Sequence, residues 1–195
     1  MHYKSRGTGI NPIWIILAVN LMIFLATLID ENVIYARFGL QSAGLDREPW
    51  TLFTYMFVHA GLFHILPNMF TLYFFGTFAK ALVGETAFLI TYFAGGIMGG
   101  LFFYFFSMLL GNPYTILVGA SGAVYALGGL LLVMRPNARV VAFPIPVPMP
   151  LWVAILVGFL IVSFIPGVSW QAHLGGIVLG AAVGYYFRRR EYRRF

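Results

Sequence analysis

Long apolar runs with very few charged side chains constrain this chain more than any other feature. Charged residues make up 9% of the 195 residues and apolar residues 61%, whereas soluble domains average about 25% and about 45–50%. Such a composition cannot cover a water-facing surface, and disordered chains are polar and poor in aromatic residues. The sequence therefore predicts an all-α integral membrane protein with a single domain over residues 1–195.

Six apolar segments are candidates for membrane-spanning helices, which need about 20 residues. They lie at about residues 11–29, 62–79, 86–108, 120–134, 151–166 and 170–187. The first resembles a signal peptide, but its length and the lack of a small-residue cleavage site favour a spanning helix. The semi-apolar stretch at about 30–49 is expected to lie on the membrane interface, and the prolines at 144–150 predict an extended linker.

The distribution of charge predicts that both termini are cytoplasmic. With the N-terminus inside, the inner segments hold ten of the twelve cationic side chains and two of the six acidic ones, as expected from the positive-inside rule. Five arginines lie in the tail at 188–195. Next to an apolar helix they indicate a membrane anchor rather than a nucleic-acid site. The chain has no cysteine, which excludes disulfides and thiolate chemistry.

Four polar side chains are predicted to share one depth inside the membrane, and polar groups there indicate function. A rise of about 1.5 Å per helical residue places Ser121 roughly 21 Å and His173 roughly 22 Å above the next cytoplasmic arginine of each helix. The same count places His64 roughly 24 Å and Asn68 roughly 18 Å above Lys80. Three helices therefore bring a hydroxyl, two imidazoles and an amide into one layer.

Ser121 has two readings, because it begins a short helix between Gly119 and Gly122. A serine at a helix N-terminus is commonly an N-cap. The same position suits a nucleophile, since glycines let a substrate approach the backbone and the helix N-terminus offers N–H groups to an oxyanion.

His173 precedes glycines 176, 180 and 184 at helical spacing, and such small residues bring helices into close contact. If this stripe faces Tyr125 and Gly128 of the serine helix, His173 lies beside Ser121 and can act as its base. Tyr125 could stack on the imidazole or serve only as a core aromatic.

His64 and Asn68 share one helix face and could donate hydrogen bonds to an oxyanion. They could equally form an interhelical polar clamp. No carboxylate occurs near this layer, so the residues offer a Ser-His dyad rather than a triad.

Three motifs, in order along the chain, resemble the rhomboid intramembrane serine proteases. They are His59–Asn68, Gly119–Gly122 and Ala172–Gly176, and Trp50 resembles the tryptophan of the family's first loop. The sequence departs from the family pattern at Thr51, where arginine is usual, and at Lys80, where glutamate is common. The resemblance implies a six-transmembrane-helix rhomboid bundle.

By the same resemblance, Ser121 is the nucleophile and His173 the general base. The oxyanion hole is formed by His64, Asn68 and the Ser121 backbone N–H. His59 is expected at the outer mouth of the site, near water. The supporting residues are Tyr125, Gly119, Gly122 and His59.

The resemblance implies a serine endopeptidase that cleaves single-span membrane proteins near the outer end of their transmembrane segments. Its partners are those substrates and the lipid bilayer, with no nucleic acid, cofactor or metal. We expect a multi-pass protein of a plasma or inner membrane, and the sequence carries no signal for oligomeric state. Two alternatives are a non-catalytic binding protein of the same fold and a haem or metal protein that uses His64 and His173.

Overall fold

The computed structural model describes residues 9–142 and 145–192, which form a helical bundle with two small antiparallel sheets. Its helices, in chain order, are α1 (Pro12–Ile29), α2 (Glu31–Phe38), α3 (Thr51–Thr54), α4 (Leu62–Val83), α5 (Glu85–Leu109), α6 (Ser121–Met134), α7 (Gly158–Ser163) and α8 (Trp170–Tyr192). A π-helical turn, Val153–Val157, precedes α7. The strands are β1 (Leu40–Gln41), β2 (Ile116–Leu117), β3 (Arg139–Ala142) and β4 (Ile145–Pro150).

A helix lies in each of the six apolar segments of the sequence. Of the described helices, α1, α4 and α5 are long and apolar enough to cross a membrane, whereas α6 and the apolar helix Val153–Ser163 are shorter. The number of spans therefore stays a prediction.

Helix α1 shows why these elements need a membrane. Asn11 caps its N-terminus by accepting a hydrogen bond from the Ile13 N–H, and Pro12 suits the first helical position. Large apolar side chains remain exposed along its outer face, among them Trp14, Leu21, Leu25 and Leu28. An apolar face of this size on a monomer indicates contact with lipid.

The segment between α1 and α4 is folded against the bundle. Asp30 ends α1 and caps α2 by accepting from the Val33 N–H. Strand β1 pairs with β2, and the Trp50 indole donates to the Arg37 carbonyl. The predicted position of residues 30–49 on the interface stays a prediction, but these contacts fix the segment to the loop that leads into α6.

Helix α6 lies at the centre of the bundle, in contact with α8, α5 and α4, and most of its residues are buried. The glycine stripe of α8 packs against its backbone. A Cβ at Gly176 would overlap the Gly122 carbonyl, and one at Gly180 would overlap the Ala126 carbonyl. The predicted partner Gly128 instead faces Ile155, because α8 contacts the neighbouring face of α6. The close approach of helices through small residues is confirmed.

Strands β3 and β4 pair, with Arg139 opposite Pro150, and Pro144 lies outside the described residues. The sequence predicted an extended linker here. Prolines are compatible with strands that have a free edge. The extended conformation therefore agrees with the prediction, whereas the pairing of the two strands was not predicted.

Cationic side chains gather at the end of the bundle where α4, α6 and α8 finish. Lys80 contacts the Glu85 carboxylate at 2.7 Å and donates to the Asn11 side chain at 3.1 Å. Arg135, just after α6, donates two hydrogen bonds to the Glu191 carboxylate of α8, at 3.0 and 2.9 Å. Helices α6 and α8 are parallel, so these cationic side chains lie at the end of the bundle opposite the N-termini of both helices.

Candidate active site

Ser121 and His173 are in hydrogen-bonding contact, with 2.8 Å between Oγ and Nε2. Ser121 is the first residue of α6 and His173 lies in the first turn of α8, so the parallel packing of the two helices brings them together. His173 is buried. A serine hydroxyl bonded to a neutral imidazole can lose its proton to that ring as it attacks an electrophile.

The N-cap reading of Ser121 is wrong. The residue at the N-cap position of α6 is Ala120, and no side chain caps the helix. The first amides of an α-helix have no intrahelical partner, and because the Ser121 side chain bonds to His173 and caps none of them, they remain available as donors.

Tyr125 stacks on the imidazole of His173. Its ring lies 4.4 Å from the His173 ring, centroid to centroid, with 27° between the planes. The Phe159 ring meets the Tyr125 ring edge-on at 6.2 Å. Within the described ranges no group hydrogen-bonds to Nδ1 of His173, so the arrangement is a pair rather than a triad. The stacked ring of Tyr125 occupies the side of the imidazole and restricts the rotation of its plane.

The backbone just before Ser121 is held by two residues of the first loop. The Gly119 N–H donates to the Tyr55 carbonyl at 3.0 Å, and the Ala120 N–H donates to Nε2 of His59 at 3.4 Å. His59 is fully buried, so the expectation that it lies near water is wrong. Its ring is enclosed because it packs beneath the loop that carries the serine.

His64 closes over Gly119. A Cβ at Gly119 would lie 2.6 Å from Nε2 of His64, and the φ of Gly119 is +120°, a backbone conformation that favours glycine. The Ala60 N–H donates to Nδ1 of His64 at 3.3 Å. In the neutral ring this leaves Nε2 protonated and facing the serine loop.

Asn68 lies one turn beyond His64 on α4 and is largely buried. Its Nδ2 donates to the His64 carbonyl at 2.8 Å. An amide nitrogen carries two hydrogens, so one stays available after this bond. The bond lies within α4, whereas a clamp between helices would require a partner on another helix.

Comparison with known proteins agrees with this geometry. Residues 46–190 match the family described as the Rhomboid domain, which covers more than half of the chain. The protein belongs to the rhomboid family. The match includes all three motifs. It begins at residue 46, so helix α1 lies outside it.

Named relatives of this rhomboid chain come from plants, fungi and bacteria. It is 35% identical to RHOMBOID-like protein 1 of Arabidopsis thaliana over 72% of this chain and 35% of that protein. It is 30% identical to Rhomboid protein 1, mitochondrial, of Saccharomyces cerevisiae over 68% of this chain and 40% of that protein. It is 32% identical to Rhomboid protease GluP of Bacillus subtilis over 68% and 25%, respectively.

The rhomboid chain thus spans about a quarter to two fifths of the length of these three relatives. A further relative in Arabidopsis thaliana is named inactive. Membership therefore supports a membrane-embedded protein related to proteases, and the case for catalysis in this chain depends on its own residues.

Sequence reasoning missed Tyr55. Its hydroxyl donates to the Gly96 carbonyl of α5 at 2.6 Å, and its carbonyl accepts from Gly119. Tyr55 is fully buried and also approaches Gly122, whose added Cβ would lie 3.2 Å from the hydroxyl. Its position four residues before His59 is the only local signal, because its contacts are with segments far along the chain.

Proposed function

We propose that this rhomboid protein is an intramembrane serine endopeptidase with Ser121 as nucleophile and His173 as general base. The observation that carries the proposal is the 2.8 Å contact between Ser121 Oγ and His173 Nε2 in a buried setting. Similarity to a named rhomboid protease supports the same activity.

In this mechanism the Ser121 hydroxyl attacks the substrate carbonyl while Nε2 of His173 takes its proton. The imidazolium then gives that proton to the leaving amine, and the acyl group stays on Ser121. A water molecule, deprotonated by the same imidazole, hydrolyses the ester and restores the free serine. Tyr125 holds the ring plane through both transfers, which the stacked geometry supports.

The oxyanion of each tetrahedral intermediate is stabilised by three donors: Nε2–H of His64, the side-chain amide of Asn68 and the Ser121 N–H. The hydrogen bond from Ala60 to Nδ1 of His64 supports the required tautomer. The amides of Gly119 and Ala120 already have acceptors, so the Ser121 N–H is the next donor along the chain. Donors aimed at developing charge lower the barrier more than they improve binding.

The supporting residues position this machinery. A Cβ at Gly119 would overlap the His64 ring, and one at Gly122 would crowd the Tyr55 hydroxyl. His59 accepts from Ala120 and so steadies the turn that presents Ser121. Each acts through the serine loop and does not contact the reacting atoms.

The proposed setting is a single domain with six spans and both termini in the cytoplasm, in a plasma or inner membrane. The substrates are single-span membrane proteins, cut near the outer end of their transmembrane segments. The gathering of cationic side chains at the far ends of α6 and α8 supports this orientation. Small residues near the scissile bond favour cleavage, because they loosen the helix that otherwise hides the carbonyl.

A fluorophosphonate probe tests the nucleophile directly. We expect it to label the wild type and not Ser121→Ala. A matched control is Ser163→Ala, which removes a hydroxyl that bonds to its own helix at Phe159 and should still be labelled. Equal labelling of Ser121→Ala would reject the mechanism, and a folded wild type that binds clients without labelling would favour the non-catalytic alternative.

Chelators and reductants should leave cleavage unchanged, because the proposed chemistry uses only Ser121 and His173. Cleavage of a single-span reporter protein is measured with and without chelator. Loss of cleavage that zinc restores would contradict the serine mechanism, and a Soret band in the purified protein would favour the haem alternative.

A further inference from the structure

The last turns of α8 carry two tyrosine–arginine pairs side by side. The Arg189 guanidinium lies 5.2 Å from the centre of the Tyr185 ring, and that of Arg190 lies 5.3 Å from the centre of the Tyr186 ring. Arg190 also donates to the Tyr186 hydroxyl at 3.0 Å. Because the spacing is four residues in each pair, both guanidiniums are held on one stretch of helix surface.

A concavity of about 300 Å³ is lined by Tyr185, Tyr186, Arg189 and Arg190. The two arginines are exposed, and both tyrosine rings are about half exposed. The surface therefore offers two oriented cations, two aromatic faces and open space between them.

The acidic side chains described near this end of the bundle are already paired with other cations. The Glu191 carboxylate is bound by Arg135, and the Glu85 carboxylate by Lys80. Within the part of the chain that the structure describes, no acidic side chain forms an ion pair with Arg189 or Arg190. A ligand for this surface therefore has to bring its own negative charge.

The position along α8 indicates where that charge comes from. Arg189 lies 16 residues beyond His173, or roughly 24 Å along the helix, and the hydrocarbon core is about 30 Å thick. A dyad just below one surface of the membrane thus leaves Arg189 near the headgroups of the other. Tyrosine is enriched at that level because its ring is apolar and its hydroxyl is polar.

We propose that Tyr185, Tyr186, Arg189 and Arg190 bind the headgroup phosphate of an anionic phospholipid. The two guanidiniums donate to the phosphate oxygens, as arginine does in other phosphate sites. The tyrosine rings hold the arginines in place and cover the first carbons of the acyl chains. The site rests on the proposed orientation of α8 in the membrane but not on catalysis, because it is separate from the dyad.

The test uses the full chain in detergent, titrated with short-chain phosphatidylglycerol or phosphatidylcholine, with bound lipid counted by native mass spectrometry. We expect phosphatidylglycerol to bind preferentially. Arg189→Gln should weaken its binding about fivefold, the usual contribution of one cation near an anionic lipid surface. Arg139→Gln removes the same charge from an exposed position on β3 and should leave binding unchanged.

The decisive variant is Tyr185→Leu/Tyr186→Leu, which keeps every charge but removes both rings. It should lose most of the preference, while Tyr185→Phe/Tyr186→Phe should keep it. Unchanged preference in the leucine variant, or equal losses in Arg139→Gln and Arg189→Gln, would mean diffuse charge attraction and overturn the site. Thermal unfolding checks that the leucine variant is folded, and if it is not, the two arginine variants decide.

Inorganic phosphate provides the last arm. It should not displace phosphatidylglycerol at an equal concentration, because it lacks the chains that contact the rings. Displacement by free phosphate would overturn the assignment to a lipid.

Discussion

The two ends of the α6–α8 pair are both joined by polar contacts, but in opposite surroundings. At one end Ser121 and His173 form a single buried bond between groups that can be neutral. At the other, Arg135 and Glu191 form a bidentate ion pair whose side chains are 40% and 43% exposed. Charges are therefore placed where water can solvate them, and the buried end uses groups that need no counter-ion.

The comparison shows that α6 and α8 can position the contact between Ser121 and His173 without depending on that contact for their packing. Between the two ends, the α8 glycines contact the α6 backbone directly. The packing along this seam sets the distance between the helices, and the dyad then uses the geometry that results. Substitutions at the dyad, at the glycine contacts and at the ion pair should therefore separate effects on activity from effects on stability.

The largest effect is expected at the dyad. Ser121→Ala or His173→Ala should each reduce cleavage of a membrane reporter by several orders of magnitude, because nucleophile and base act as one unit. Thermal unfolding of Ser121→Ala should change little, since one hydrogen bond contributes about 1 kcal/mol, whereas His173→Ala also truncates a buried ring stacked on Tyr125 and should lower the unfolding midpoint. Substantial cleavage by Ser121→Ala would contradict the proposed role of Ser121 as nucleophile.

The donors on α4 come next. His64→Ala and Asn68→Ala should each lower turnover by about 10²–10³, or roughly 3–4 kcal/mol, with a smaller effect on apparent substrate affinity. Labelling of Ser121 by the fluorophosphonate should persist. If the thermal stability of these variants falls in step with turnover, or if only the apparent substrate affinity falls, His64 and Asn68 are structural residues and not oxyanion donors.

The seam should respond in stability. Gly180→Ala places a Cβ against the Ala126 carbonyl, and overpacking of this kind costs about 1–3 kcal/mol. Gly158→Ala is the matched control, since nothing lies within 4 Å of its added Cβ. We expect the thermal midpoint to fall for Gly180→Ala and not for Gly158→Ala. Equal midpoints would show that α6 and α8 move apart at no cost in stability.

The smallest effect is expected at the charged end. The hydrogen bond from Arg135 lowers the pKa of Glu191, so the pair stabilises the fold above the ordinary carboxyl pKa and loses this contribution as pH falls through the lowered one. Glu191→Gln should therefore cost less than about 1 kcal/mol near neutral pH, and nothing in strong acid.

Asp46→Asn is the control for Glu191→Gln, since it removes one negative charge from an exposed site outside α6 and α8. Unfolding midpoints of the two variants and the wild type are compared across the acidic range. A deficit in Glu191→Gln that persists unchanged in strong acid would contradict the ion-pair explanation.

Much of this arrangement was predictable from the sequence because helical rise is regular. Ser121 precedes Arg135 by 14 residues and His173 precedes Arg188 by 15, so aligning the charges also aligns the dyad. The observed register agrees, since Arg188 donates to the Val133 carbonyl just before Arg135. The depth argument works because both helices are parallel and uninterrupted.

The first loop was less predictable, because its contacts depend on the tertiary fold. His59 was expected near water and is buried beneath the serine loop. Tyr55 gave no sign of its bonds to Gly96 and Gly119. None of these three contacts follows from a sequence periodicity, and they join residues about 40 to 65 positions apart, so only the packed bundle reveals them.

The missing third group beside His173 has a consequence for how the chain enters the membrane. Segments 121–134 and 170–187 carry no Asp, Glu, Lys or Arg, although α8 contains His173, other polar groups and several glycines. An aspartate near the centre of a segment raises its insertion free energy by about 2.5–3.5 kcal/mol. If α8 spans the membrane as proposed, the lack of a carboxylate bonded to Nδ1 of His173 among the described residues means that no segment has to carry that charge into the bilayer during synthesis.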